Sequence, residues 1–156
     1  MSKDLLYEIA YEEAVRALSQ QAAEIDSLRT RAGLLFSAAA ITTSFLGAQA
    51  LRGGTATLAS WLALFTFAVV ATSCLAIFWP RWWEGAVNPR EVIETYIESV
   101  AAESTGDLRR DLSLHMHNSY LDNHEGLEQL ALFLRLASSA LSLEVVLWII
   151  ALALGD

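Results

Sequence analysis

Apolar residues fall into three long blocks along this chain, and the segments between them are amphipathic. The first block, Ala32 to Leu51, reads AGLLFSAAAITTSFLGAQAL, and the second, Thr57 to Trp79, reads TLASWLALFTFAVVATSCLAIFW. Neither holds a charged residue, and each is close to the ~20 residues a helix needs to cross ~30 Å of hydrocarbon. Arg52, Gly53, Gly54 and Thr55 between them read as a tight turn. The expected element is an antiparallel membrane hairpin. The competing reading is a buried hairpin in a soluble bundle, but two adjacent uncharged helices would each lack a solvated face. The third block, Leu130 to Leu154, is expected to be a third span, with Arg135 near its start and Glu144 near its middle.

The flanking segments carry helical periodicity. Residues 3–31 lack glycine and proline, and Tyr11, Val15, Leu18, Ala22 and Ile25 form a stripe that continues through Arg29 to Ala32. No breaker separates this helix from the first span, so one helix from Lys3 to Leu51, ~73 Å long, is expected. Its stripe needs a partner. Asn88, Pro89 and Glu91 signal a helix start, and Ser104, Thr105 and Gly106 its end. A second helix from Asp107 carries Leu108, Leu112, Met116, Tyr120, Asn123 and Leu127 on one side. Residues 88–127 therefore read as a helical hairpin that packs on the N-terminal helix. Tyr120 and Asn123 would be packing positions that need hydrogen-bond partners. The fold class expected is all-α: one domain with three membrane spans and a small cytoplasmic helical part.

Composition agrees with this pattern. Of the residues, 54% are hydrophobic and 18% charged, a membrane-protein balance. The net charge of -8 argues against nucleic-acid binding, which wants a basic surface. No basic run leads into a short apolar core at the N-terminus, so no signal peptide is expected. Basic residues set the orientation: Arg29, Arg31, Arg81, Arg90, Arg109 and Arg110 share one side and only Arg52 takes the other. That puts the N-terminus and residues 80–129 in the cytoplasm and the C-terminus outside. Asp26, Arg29, Arg31 and Arg135 are the charges at the cytoplasmic membrane entrance, with Asp26 and Arg29 spaced to pair. Trp79, Trp82 and Trp83 read as an interfacial belt, ended by Pro80.

Candidate chemistry is sparse. The one cysteine, Cys74, reads as a small apolar filler. His115, His117 and His124 lack the convergence a metal site needs, and no nucleophile, base and oxyanion donor come together. No cofactor, metal or catalytic residue is assigned, and the chain is not expected to be an enzyme. Glu144 is the exception, because a carboxyl at membrane depth must face protein or water. It can bond Thr42, Thr43, Thr66 or Thr72 as a protonated acid across a packed interface. Alternatively, Glu144, Ser138, Ser142 and Thr43 form a wet intramembrane site. Three spans are too few to enclose a conduit, so a channel would be a homo-oligomer with Glu144 as a ring. Ala40, Ser44, Gly47 and Ala48 lie roughly on one small face suited to helix association.

The stretch QQAAEIDSLRTRAGLLFSAAAITTSFLG, Gln20 to Gly47, resembles the start of small bacterial membrane effectors of the SLATT and Pycsar-effector type. Their soluble helix is followed by an acidic and a basic residue shortly before a Gly- or Ala-rich span. Asp26, Arg29 or Arg31, and Gly33 match that pattern. The segment from Arg109 to Trp148 resembles the one leading into their last span, with Tyr120, Asn123 and Leu127 at matching positions. The resemblance implies a pore-forming effector of the bacterial inner membrane in an antiphage or conflict system, triggered by a nucleotide-responsive partner or sensor. This chain carries no recognisable sensor domain, so a separate protein or a ligand of the cytoplasmic helices would supply any trigger. Its third span fits only some members. The alternative is a non-conducting scaffold or adaptor that recruits a cytoplasmic partner through its soluble helices.

Overall fold

A computed structural model describes residues 3–52, 56–80 and 105–155. The fold is all-α, with three helices long and apolar enough to cross a membrane. Helix α1, Lys3–Thr42, runs without a break through the expected membrane entrance. A five-residue π-helix, Thr43–Gly47, and a short α2, Ala48–Ala50, complete the first span. Helix α3 covers Leu58–Phe78. It starts where Thr57, in extended backbone, accepts a hydrogen bond from the Ser60 N–H through its side chain. It stops at Trp79, whose extended ψ is the conformation that a following proline favours. Helix α4, Thr105–Gly155, spans 51 residues.

The continuity of α4 departs from the expected helix over 107–127 followed by a separate span from Leu130. Gly126 is the only glycine between Asp107 and Leu154 and no proline occurs there. A single glycine costs a helix only ~1 kcal/mol. Met116, Leu130, Ala137 and Glu144 are buried at multiples of seven residues, so the inward stripe never changes phase. The expected helix start at Asn88 and the tryptophans Trp82 and Trp83 lie outside the described residues.

Two compact units divide the chain. In the first, residues 3–25 of α1 and 105–127 of α4 pair in parallel. Asp4 approaches Gly106, the Arg109 guanidinium meets the Glu8 carboxylate at 3.0 Å, and Gln21 Nε2 donates to the Tyr120 carbonyl at 3.0 Å. A Cβ on Gly106 would lie 2.5 Å from Asp4 Oδ1, so the bare backbone permits this approach. The stripe expected on α1 holds at Tyr11, Leu18 and Ile25, which are half-buried or buried, and departs at two positions. Val15 and Ala22 are exposed, while Ala14 is half-buried and Gln21 buried. A polar Gln21 hid the inward position from a reading based on apolar residues.

The second unit comprises the described parts of Asp26–Pro80 and Glu128–Asp156. The first span and α3 run antiparallel: Ala50 shares a cluster with Ala59 and Ala63, and the Cys74 thiol donates to the Ala32 carbonyl at 3.4 Å. Small residues face inward, among them Ala32, Ala39, Ala63 and Ala137, while Leu34, Ile41, Phe45, Phe65, Leu132 and Leu154 are exposed. In water so large an apolar exterior would be an aggregation hazard. In lipid it matches the solvent, and small inward residues let helices approach closely.

Gln21 Oε1 has no hydrogen-bond partner although it is buried. A buried unsatisfied acceptor costs ~1–3 kcal/mol, and the helical Tyr120 carbonyl does not depend on Gln21 alone. Gln21→Met is therefore expected to keep or raise the midpoint of thermal unfolding in detergent, followed by circular dichroism.

Candidate functional site

The polar centre of the second unit lies where the π-helix of the first span meets α4. Glu144 is 0% exposed. Thr43, the first residue of the π-helix, donates its hydroxyl to Glu144 Oε1 at 2.5 Å. The Trp148 indole N–H in turn donates to Thr43 Oγ1 at 3.4 Å. One hydroxyl thus serves two groups a helical turn apart on α4. Glu144 Oε2 is buried without a hydrogen-bond partner among the described residues.

Trp148, also 0% exposed, packs with Ala50, Ala59, Ala63 and Ala151. Its ring rests on Gly47, the last residue of the π-helix. A Cβ there would lie 3.1 Å from both Cη2 and Cζ2 of the indole. Both ends of the π-helix are therefore engaged by α4, Thr43 by Glu144 and Gly47 by Trp148. The backbone explains why Gly47 points inward. Ala32 and Ala39 are buried seven residues apart, but the next fully inward position is Gly47, eight residues on. A π-helix bonds i to i+5 and so takes up the additional residue.

Of the expected intramembrane set, the structure brings together Thr43 and Glu144. Ser138 and Ser142 are exposed and donate their hydroxyls to the Leu134 and Ser138 carbonyls of their own helix. Arg135 is exposed on the same helix. The small face expected at Ala40, Ser44, Gly47 and Ala48 is divided, because the π-helix turns Gly47 inward and leaves Ser44 and Ala48 exposed.

Asp26 and Arg29 approach to 3.9 Å with Asp26 largely exposed, so this pair contributes little. Arg31 is exposed. In the first unit, Tyr120 and Asn123 are half-buried, and the Tyr120 ring stacks on His124 at 6.2 Å between centroids. Among the described residues, no three His, Cys, Asp or Glu side chains gather as metal ligands.

Sequence reasoning named Thr43 among the candidate partners of Glu144 and placed Gly47 on a small association face, but it missed Trp148 and the π-helix. The signal available was a tryptophan four residues after Glu144; the eight-residue step from Ala39 to Gly47 shows in the burial pattern and not in the run of alanines at 38–40. No family model matches this chain, and neither a curated protein nor a solved structure does.

Gly47 and Ala48 are adjacent small residues with opposite surroundings. Gly47→Leu is expected to destabilise the protein by ~1–3 kcal/mol, since the enclosed indole already lies 3.1 Å from where a Cβ would sit. Ala48→Leu is expected to stay within ~0.5 kcal/mol, as an exposed substitution should. Unfolding titrations of the two variants in mixed micelles check the contrast.

Proposed function

We propose that this chain is a homo-oligomeric effector of the bacterial inner membrane that acts by forming a pore, with its N-terminus cytoplasmic. The observation that carries this reading is the exposed face of α4, where Arg135, Ser138, Ser139 and Ser142 lie along one side of its apolar block, Leu130 to Leu154. Around a symmetric, water-filled axis that face would be solvated. In a lone protomer it would put a guanidinium against hydrocarbon, a costly placement unless it snorkels. The serine hydroxyls bond their own backbone and tolerate either setting. Glu144 has a different place in this proposal from the ring expected at sequence level. Enclosed and held by Thr43, it stabilises each protomer. The likeness to SLATT and Pycsar-type effectors supplies the biological setting, an antiphage or conflict system with a separate cytoplasmic sensor or nucleotide-responsive protein as trigger.

A second reading, the non-conducting adaptor, is favoured by one observation. Leu5, Leu6, Ile9 and Val15 of α1 are exposed in the first unit, outside the apolar blocks, where a partner helix would cover them.

Reconstitution into planar bilayers separates the two. The pore reading expects ion flux from an oligomer, abolished by Ser138→Leu with Ser142→Leu and unchanged by Glu144→Gln. A strict monomer without flux would overturn it, and co-purification of a cytoplasmic partner with a silent membrane part would establish the adaptor.

A further inference from the structure

The π-helix of the first span lies where two alternative packings compete for one space. In the observed register Gly47 lies under the Trp148 ring, where even a Cβ would require the indole to give by a few tenths of an ångström. Losing the additional residue of the π-helix would rotate everything after it by ~100°, one residue of α-helix. The seven-residue step from Ala39 would then point Leu46 inward in place of Gly47. Leu46 and the Trp148 ring cannot occupy the same volume, so the alternatives are discrete. What favours the observed register is local. Thr43 at the start of the π-helix is bonded to Glu144, and Gly47 at its end is covered by Trp148. The single unpartnered oxygen of Glu144 leaves that hold incomplete.

We infer that Thr43–Gly47 is a two-position register switch, latched in the π form by Glu144 and Trp148 of α4. Releasing the Thr43–Glu144 bond returns the segment to α-helix and turns Ala48–Leu51 about the helix axis. Single π turns within α-helices recur at functional sites. The switch gives a ligand or partner that acts on α4 a way to reorient the end of the first span. It does not depend on whether the assembly conducts.

The rotation has a signature that general loosening lacks. In the latched form Gln49 is exposed and Ala50 is buried. In the α form Ala50, eleven residues or three turns past Ala39, stays inward, while Gln49 turns by ~100° from the exposed side toward the packed side. The test uses the full chain in lipid vesicles with Cys74→Ala as background, and either Gln49→Cys or Ala50→Cys as the single thiol. Labelling by a water-soluble maleimide is compared with and without Thr43→Val. The expected result is one-sided: labelling at Gln49→Cys falls several-fold while Ala50→Cys stays protected, a shift that follows from removing one buried hydrogen bond from a two-state balance. Thr43→Ser, which keeps the hydroxyl, should leave the latched pattern in place. Glu144→Ala breaks the same bond from α4 and should reproduce the fall at Gln49→Cys if Thr43→Val is not recovered in folded form. Labelling that rises at either position, or changes at neither, would overturn the switch.

Discussion

A carboxyl group enclosed by apolar helices costs several kcal/mol unless a donor meets it, and in this protein the donor is the Thr43 hydroxyl. Other features of the second unit follow from that contact. It brings the first span and α4 together near the middle of both apolar blocks, in parallel, with α3 returning between them in sequence. The turn of α4 that carries Glu144 also carries Trp148, whose indole needs both an acceptor and a flat place to lie. Thr43 provides the first and Gly47 the second. The π-helix is the backbone adjustment that lets one segment supply both.

The fold was largely legible because hydrocarbon imposes a strict length and composition on whatever crosses it. Ala32–Leu51, Thr57–Trp79 and Leu130–Leu154 stand out as long apolar blocks. Helix α3 matches the second to within a residue at each end, while the first and third end within a residue of Ala50 and Gly155 but begin inside the longer α1 and α4. The continuity of α4 was less legible, since the pattern changes from amphipathic to apolar near Leu130 although the helix does not end there. The inward face of α1 was read correctly at Tyr11, Leu18 and Ile25 and missed at two positions, because apolar content favours Val15 and Ala22, whereas helix packing selects Ala14 and Gln21.

The site was legible in part. A lone acid in an apolar block calls for a partner, and the threonines of the facing spans were natural candidates. Which threonine it was depended on helix phase, and the π-helix changes that phase in a way no simple periodicity reveals. The inward position of Glu144 also bears on function. A buried, hydrogen-bonded carboxyl is a poor lining group for a conduit, so the proposed pore draws on the exposed serines and Arg135 of α4. In that proposal the internal polar contact holds one protomer together and the outward hydroxyl face is the surface offered to another.

The central claim is that Thr43 and Glu144 bond one another inside a single protomer. A double-mutant cycle on unfolding free energy, with Thr43→Val, Glu144→Leu and the two combined, tests it most directly. The account predicts that each single change destabilises and that the pair costs no more than either alone, with a coupling of ~0.5–3 kcal/mol. Strictly additive losses would contradict it.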